Sequence, residues 1–409
     1  MTHDILLDRY AQLIIRSGLN LQKGQQLLIT SPIDAVPLVR RITEHAYKAG
    51  APLVTTLYSD DPSTLARYQF AGEDTFDEAP AWLFDGMAAA FKAGAARLGI
   101  IGDDPALLGG QDPKRVARTS KARSRAYQPV LELIAGFAIN WNLSAYATPA
   151  WAKSVFPGLP EKEAVQKLWA AIFACCRADL DDPIAAWEEH SRNLAKRTAM
   201  LNGKAYSALR YKGPGTDLTL GLADQHVWKG GAAKARNGVV CNPNIPTEEV
   251  YSMPHKNRVD GTLSSTKPLS YNGTMIEGIV AVFEKGRIVK VDASKGADAF
   301  RALIATDEGA ARLGEVALVP HSSPISQSGI IFNNTLFDEN AACHIAVGQC
   351  YADTTRDGGS LSKEDLAKRG GNQSLVHVDW MVGSGALDID GVKADGTAEP
   401  LMRKGEWAA

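Results

Sequence analysis

The sequence predicts an α/β protein of two domains, an N-terminal parallel α/β domain and a C-terminal catalytic domain of mixed α/β (α+β) type. Three observations lead to this fold class. The chain has 409 residues, more than one core of ordinary size accommodates. Its first third alternates strand-like and helix-like segments, and near residue 200 the pattern changes to hairpins. We therefore predict domains at residues 1–195 and 196–409.

The N-terminal domain begins with a β-α-β pattern. The apolar run GQQLLITSP predicts a strand, and Ser31-Pro32 at its end is typical of a helix N-cap followed by proline. The segment IDAVPLVRRITEHAYKAG has helical periodicity, and APLVTTLYSD predicts the next strand. A crossover of this length joins parallel strands, so we expect a parallel sheet.

The C-terminal half is predicted to consist of hairpins with helices between them. One hairpin, EGIVAVFEKGRIVKVDAS, turns at Lys285-Gly286. The other predicted elements are, in order, a hairpin at KAYSALRYKGPGTDLTLGL, a helix at ADAFRALIATDEGAARLG, a strand at EVALVP, a helix starting near Asn340, a strand at SLVHVDWMVG and a hairpin at LDIDGVKADGTAEPLM.

Composition and charge exclude several classes of protein. A net charge of −2 argues against a nucleic-acid-binding protein, since such domains carry a basic excess. The N-terminus lacks the basic and apolar regions of a signal peptide, and no stretch reaches the roughly 18 apolar residues of a membrane span. We therefore expect a cytoplasmic protein without membrane segments.

Familiar catalytic and metal-binding motifs are absent from the sequence. It contains no HExxH, GxxxxGK[ST], GxSxG or strand-associated GxGxxG pattern. The five cysteines are odd in number and lack CxxC spacing, so they are expected to be reduced core residues. Neither a thiolate zinc site nor a nucleotide site is therefore predicted.

The strand-like segment SLVHVDWMVG contains two hydrophilic residues, His377 and Asp379, in an otherwise apolar run. In a strand both side chains point to the same face. A buried carboxylate is costly unless it is paired, so the two residues require a partner of opposite charge or a metal ion.

Three other segments place acidic or histidine residues in similar surroundings. Glu248 and Glu249 enter a β-prone segment, and Glu315 begins a strand. Each can also be an exposed acid without a function. In the helix predicted after Asn340, His344 and Tyr351 would lie two turns apart on one face. Glu339 stands just before that helix, and a buried histidine can equally be an ordinary hydrogen-bonded core residue. Carboxylates and imidazoles without thiolates together suit zinc, manganese, cobalt or related dications.

Four segments of the second half carry the acidic and histidine residues described above: in order, NIPTEEVYSMP, DEGAARLGEVALVP, LFDENAACHIAVG and LVHVDWMVG. In order and approximate spacing they resemble the ligand-bearing motifs of the aminopeptidase T and aminopeptidase S family of thermophilic-type dinuclear metalloaminopeptidases. Two N-terminal segments, LQKGQQLLI and EHAYKAGAPLV, extend the resemblance to essentially the whole chain.

The resemblance implies an aminopeptidase that releases N-terminal amino acids from peptides with a free N-terminus. It implies a homodimer and two divalent metal ions per chain, with zinc, cobalt or manganese as candidates. Tyr351 corresponds to a tyrosine beside the metals. The residues implied as metal ligands are Glu249, Glu315, Glu339, His344, His377 and Asp379.

A dinuclear site suits peptide hydrolysis, because two dications can activate a shared water and hold the substrate carbonyl. Glu315 or Asp379 is a suitable bridging ligand. Either Glu248 or a ligand carboxylate is expected to act as general base. Tyr351 is expected to stabilise the tetrahedral oxyanion.

Two alternatives remain open from sequence. A ring-opening dioxygenase of the dihydroxypyridine type resembles the same fold and needs one ferrous ion held by two histidines and one carboxylate. His344, His377 and Asp379 would supply those ligands. The other alternative is a non-catalytic protein stabilised by metal. The additional glutamates at 249, 315 and 339 favour the peptidase, since a mononuclear iron site does not use them.

Overall fold

The computed structural model describes residues 1–271 and 274–408, and the chain forms two compact units. The first unit comprises Met1–Ser191 together with Ala232–Pro246. The second comprises Arg192–Gly231 and the chain from Thr247 onward. The chain therefore leaves the second unit after Gly231 and returns to it at Thr247.

The helices of the described residues are, in chain order, α1 (His3–Leu13), α2 (Val36–Lys48), α3 (Asp61–Phe70), α4 (Ala81–Lys92), α5 (Pro113–Ala135), α6 (Pro149–Val155), α7 (Glu161–Cys175), α8 (Pro183–Lys204), α9 (Ala297–Ile304), α10 (Pro324–Ser328), α11 (Thr335–Asp338) and α12 (Lys363–Lys368). Within 1–271 and 274–408, no helix combines the length and the apolarity that crossing a bilayer requires.

The strands are, in chain order, β1 (Leu27–Pro32), β2 (Val54–Ser59), β3 (Ala96–Ile101), β4 (Trp141–Ala145), β5 (Ala208–Gly213), β6 (Thr216–Leu222), β7 (Ala233–Lys234), β8 (Val240–Cys241), β9 (Val250–Ser252), β10 (Pro254–Ser264), β11 (Leu269–Tyr271), β12 (Thr274–Ile276), β13 (Val280–Glu284), β14 (Arg287–Asp292), β15 (Leu313–Leu318), β16 (His344–Gly348), β17 (His377–Met381), β18 (Asp388–Val392), β19 (Ala398–Arg403) and β20 (Glu406–Trp407).

The sheet of the first unit is parallel, as the β-α-β pattern predicted. Its strands lie in the order β2-β1-β3-β4, and Leu27 pairs with Val54 on one side and with Ala96 on the other. Leu28 packs in an apolar cluster with Phe84 and Phe91 of α4. The predicted fold class is confirmed for this unit.

Helix α2 begins later than the sequence predicted. Ser31 and Pro32 are the last residues of β1, and Pro32 is extended, with φ −62° and ψ 147°. The Ser31 hydroxyl bonds the Pro32 carbonyl and caps no helix. Pro37 stands in the first turn of α2, where a missing N–H group costs little. The predicted cap at Ser31 is therefore wrong.

The second unit contains an antiparallel sheet in the order β14-β13-β10-β6-β5-β18-β19-β20. The predicted hairpins are all found in it. Lys285 and Gly286 connect β13 to β14 with φ values of 47° and 81°. Positive φ at both central residues is the conformation that tight hairpin turns favour.

A second antiparallel sheet in this unit has the order β17-β16-β15-β9. One of its faces belongs to the main apolar core, to which it contributes Val316, Ile345, Val347 and Trp380. The central strands β15 and β16 are buried along their whole length. The other face carries the candidate functional residues.

The helix predicted after Asn340 is absent, and this prediction is wrong. A 3-10 turn occupies Glu339–Ala341, and His344 begins strand β16. Strand β16 pairs with β15 on one side and with β17 on the other, so its backbone groups are bonded from both sides. Tertiary pairing and burial of Ile345 outweigh the helical preference of the preceding alanines. His344 and Tyr351 therefore do not share a helix face.

Candidate metal centre

The implied ligands come from four segments of the second unit. Glu315 lies on β15, His344 on β16, and both His377 and Asp379 on β17. Glu249 directly precedes β9. Glu339 opens the 3-10 turn before β16. The segments predicted to carry metal ligands thus meet at one sheet. His344 lies on a strand of that sheet and not on the predicted helix.

The pairing register shows which side chains share a face. Ala346 of β16 lies opposite Glu315 on one side and opposite Asp379 on the other, and directly paired residues point to the same face. His377 pairs with Gly348 in the same way. The centre of this face therefore consists of small residues, which leave space between the carboxylates and imidazoles.

The backbone conformation at position 348 requires glycine. Its φ is 103°, and a Cβ atom there would collide with the Val376 carbonyl oxygen. The adjacent residue His377 is thereby held close to β16.

Both histidines present the same ring nitrogen to the carboxylates. Nδ1 of His344 lies 3.1 Å from the Ala342 carbonyl, and Nδ1 of His377 lies 2.7 Å from the Gln349 carbonyl. A carbonyl only accepts, so each Nδ1–H donates and each Nε2 is left free for another partner. This arrangement is the one found in metal-binding histidines.

Each Nε2 faces carboxylate oxygens. His344 Nε2 lies 3.2 Å from Glu249, and His377 Nε2 lies 3.3 Å from Glu315 and 3.6 Å from Asp379. Burial lowers the pKa of both imidazoles, but the neighbouring carboxylates outweigh it. They raise the pKa of His344 to about 10 and that of His377 to about 11. A proton or a metal cation is therefore needed between these groups.

The carboxylates are buried and oppose one another. Burial, followed by the charges of Asp379 and Glu249, raises the pKa of Glu315 to about 7 despite its contact with His377. Burial and the same neighbours raise the pKa of Glu339 well above its usual value. The pKa of Asp379 is lowered, because the two imidazoles outweigh the effect of burial.

One carboxylate oxygen in this cluster is buried without a satisfied hydrogen bond. Glu249 Oε2 is buried, and among the residues that the structure describes it faces His344 Nε2 at 3.2 Å without forming a well-aligned hydrogen bond. A buried carboxylate oxygen without a donor is costly, and coordination to a cation removes the cost. This oxygen fits a metal ligand.

The cluster contains two groups of three residues, each with ligand atoms that lie within 4.8 Å of one another. Glu249, Glu315 and His344 form the first group. Glu315, His377 and Asp379 form the second. Glu315 belongs to both, so it is the residue able to bridge two ions. Oxygen and imidazole donors of this kind fit zinc, cobalt or manganese.

Glu339 and Glu248 belong to neither group. The Glu339 carboxylate is close enough for the charges of Glu249 and Asp379 to raise its pKa. Glu248 is buried, and its backbone N–H donates to the Asn340 side chain at 2.7 Å. The structure thus brings five of the six implied ligands into the two groups and places the sixth beside them.

Tyr351 follows β16 and reaches the cluster through a turn. Its ring centroid lies 4.7 Å from that of His377. Burial and the charges of Glu315 and Asp379 raise the pKa of its hydroxyl. At neutral pH the hydroxyl is therefore protonated and able to donate a hydrogen bond beside the ligands.

Sequence reasoning missed a second tyrosine at the site. Tyr251 pairs with Ala317 of β15, and its ring lies 6.3 Å from that of Tyr351 in an edge-to-face arrangement. Burial and the charges of Asp353, Glu315 and Glu249 raise the pKa of Tyr251. The sequence did contain a clue to Tyr251: it lies two residues after Glu249, and residues two apart in a strand point to the same face.

A cavity of about 380 Å³ adjoins the ligands. His377 and Asp379 form part of its wall, and Met381, the next residue on that face of β17, continues it. Leu269 and Tyr271 of β11 also line it. Its size is at the lower end of small-molecule pockets, so a small ligand fits beside the carboxylates and imidazoles.

Known proteins resemble this chain over nearly its whole length. Residues 3–407 match the model of the M29 family, described as thermophilic metalloprotease. Aminopeptidase T of Thermus thermophilus is 53% identical over 401 residues, which cover 98% of each chain. Aminopeptidase AmpS of Bacillus subtilis is 44% identical over 402 residues, again 98% of each.

Two solved structures resemble the fold. Wild-type AmpT from Thermus thermophilus superimposes with a TM-score of 0.94 at 52% identity, covering 99% of both chains. 2,5-Dihydroxypyridine dioxygenase from Pseudomonas putida gives a TM-score of 0.54 at 13% identity, covering 99% of this chain and 97% of that one. At such low identity the second similarity concerns the fold alone.

Proposed function

Because the chain belongs to the M29 family of thermophilic metalloproteases and is a metal-dependent aminopeptidase, we propose that it acts with two divalent metal ions bridged by Glu315. Glu249 and His344 would complete the first site, and His377 and Asp379 would complete the second. The observation that carries this proposal is the presence of Glu315 in both groups of ligands.

The charges of the cluster support two ions. Four carboxylates, those of Glu249, Glu315, Glu339 and Asp379, meet two imidazoles that are neutral when they coordinate metal. One dication would leave an excess of negative charge in a buried place, and uncompensated buried charge is costly. Two dications would balance the four carboxylates, that of Glu339 included.

The reaction is hydrolysis of the peptide bond that follows a free N-terminal residue. When bound, the two ions would lower the pKa of a water molecule and polarise the substrate carbonyl. The Tyr351 hydroxyl donates a hydrogen bond to the oxyanion of the tetrahedral intermediate. The wall formed by Met381 and Leu269 receives part of the substrate.

Glu248 is the proposed general base. It takes the proton of the attacking water and returns it to the leaving amine. Two facts support the role: the residue is buried beside Glu249, and neither ligand group includes it. The variant Glu248→Gln should lower kcat about 100-fold with full metal content. Unchanged kcat would transfer the role to Glu339 or to a ligand carboxylate.

The proposal is tested by metal counting combined with activity. Metal-free protein is loaded with zinc, cobalt or manganese, and metal per chain is measured by elemental analysis beside hydrolysis of leucine anilide. Full activity is expected only at two ions per chain. The N-acetylated anilide is the matched control and should not be cleaved. Full activity at one ion, or cleavage of the blocked substrate, would contradict the proposal.

We also propose that the protein is a homodimer, as the family resemblance implies. Light scattering should then give twice the chain mass of 43.8 kDa. A mass equal to that of one chain in the active protein would refute the dimer.

A further inference from the structure

We propose that the ion pair between Lys229 and Asp353 is a positioning device that holds the Tyr351 hydroxyl at the metal centre. The inference rests on the oxyanion role proposed for Tyr351. Lys229 Nζ lies 2.8 Å from Asp353 Oδ2, and both residues belong to the second unit.

Tyr351 and Asp353 belong to one hydrogen-bonded turn. Tyr351 immediately precedes the 3-10 turn Ala352–Thr354. Its carbonyl accepts from both the backbone N–H and the hydroxyl of Thr354, at 3.1 and 2.6 Å. A displacement of Asp353 is therefore transmitted to the backbone of Tyr351.

This turn is fixed to the segment that carries Lys229. The N–H of Val227 donates to the Thr354 carbonyl at 2.7 Å, and the N–H of Arg356 donates to the Gln225 carbonyl at 3.0 Å. The ion pair is the further contact at the Lys229 end of this segment. Of these contacts, the ion pair is made by Asp353, the residue nearest in the chain to Tyr351.

Lys229 in turn is bonded to the sheet that presents the ligands. Its backbone exchanges two hydrogen bonds with Tyr251, at 2.9 and 2.8 Å. Tyr251 belongs to β9, which pairs with β15, the strand of Glu315. The ion pair therefore connects the turn of Tyr351 to the strands that hold the metal ligands.

The aromatic rings alone do not fix Tyr351. Its ring lies 4.7 Å from that of His377 and 6.3 Å from that of Tyr251, yet 47% of the residue is exposed. Rotation of the turn would move the hydroxyl along the rings. The ion pair opposes this motion, because it acts on the turn itself.

The pair is suited to positioning more than to folding stability. The side chains of Lys229 and Asp353 are 38% and 55% exposed, and exposed ion pairs contribute little to stability. A reacting group displaced by 1 Å, in contrast, can slow a reaction about 100-fold. Loss of the pair is therefore expected to affect catalysis and leave the melting temperature nearly unchanged.

The test uses Lys229→Met and Asp353→Asn, each made in the native sequence and in the Tyr351→Phe variant. In the native sequence each should lower kcat at least about 10-fold, with KM, metal content and melting temperature unchanged. In the Tyr351→Phe variant neither should lower kcat further, because the group that they position is gone. Lys229→Arg should restore most of the activity.

Lys295→Met is the matched control, since Lys295 forms a 3.0 Å ion pair with Glu277 elsewhere in the same unit. It should leave kcat unchanged. The inference is overturned if Lys229→Met leaves kcat unchanged while Tyr351→Phe lowers it, or if Lys229→Met lowers kcat equally in both sequences. Full kcat in Tyr351→Phe would overturn the oxyanion role, and this inference with it.

Discussion

Glu315 is the residue on which both ligand groups depend. It is 5% exposed, and its carboxylate is within reach of an imidazole from β16 and another from β17. Burial and nearby acids raise its pKa to about 7, so without a cation it is partly protonated at neutral pH. Burial and the neighbouring acids thus make a bound cation favourable at Glu315, because a cation compensates the charge of the buried carboxylate.

Glu315→Gln should abolish activity and reduce metal occupancy. The amide keeps the shape of the side chain but cannot bridge two cations. Loss of partners outside the coordination shell costs 10–100-fold, so loss of a bridging ligand should cost at least about 100-fold in kcat. Elemental analysis and kcat measured on the same sample decide this. Glu284→Gln, on the exposed end of β13, is the control and should behave as wild type.

Tyr351→Phe should lower kcat about 100-fold and leave the metal content unchanged, since the role proposed for the hydroxyl is a contact with the transition state and not with the ions. Tyr58 is similarly exposed, and Tyr58→Phe provides a control that should be silent. A Tyr351→Phe protein that loses its metals would show that the tyrosine is structural and that the oxyanion role is wrong.

Most strands of the protein were predicted from local sequence patterns, and strand β16 was not. Alternating apolar residues and glycine turns were enough to predict β17, the hairpins around residues 210 and 285, and the parallel strands of the first unit. They failed for β16, because NAAC suits a helix locally. Its extended form depends on β15 and β17, which lie far away in the chain. Such pairing is not visible in a local window.

The proposed ligand set was available from the sequence only through the family resemblance. No spacing rule connects Glu249 with His344, because the sheet alone brings them to 3.2 Å. Tyr251 was missed although it lies two residues from Glu249. β9 is three residues long, too short for an alternating pattern to show.

Ala346→Leu should empty the metal centre while the sheet still forms. Its side chain lies between Glu315 and Asp379, so a larger one fills the space of the ions. Metal content and activity should both fall at least about 10-fold, in the range that disturbed metal sites show. Ile345→Val is the control, since Ile345 faces the core. It should cost about 1 kcal/mol in unfolding free energy and retain the metals. Full metal content in Ala346→Leu would show that the face is wider than the register indicates.

For the whole molecule, metal and protons compete for the same buried groups. Without metal the carboxylates raise the pKa of His344 to about 10 and of His377 to about 11, so both rings are protonated at neutral pH. Coordination requires the neutral rings. Metal loading at pH 7 should therefore release at least two protons per chain, two from these rings and more from Glu315 and Glu339, whose raised pKa values leave them at least partly protonated without metal. Calorimetry in buffers of different ionisation enthalpy counts them, and a value near zero would contradict the assignment.

The same groups set the pH dependence of the metal-free protein. Both imidazoles have a folded pKa above the ordinary value of 6.5. Their contribution to stability is complete below pH 6.5 and is lost as the pH rises toward 10 to 11. Chelator-treated protein should thus become less stable through that interval. Metal-loaded protein should melt higher and lack this loss. Unfolding curves from pH 6 to 11 with and without metal test both statements.

The return of residues 232–246 to the first unit bears on how this protein can be divided. Asn142 Nδ2 donates to the Asn242 carbonyl at 2.7 Å, and the N–H of Leu143, on edge strand β4, donates to the Pro243 carbonyl at 2.7 Å. A fragment ending at 195 would leave that edge open to aggregation, and one starting at 196 would expose the buried Ile245. Swapping catalytic units between homologues, by recombination or by engineering, therefore requires three junctions, near 191, 231 and 246.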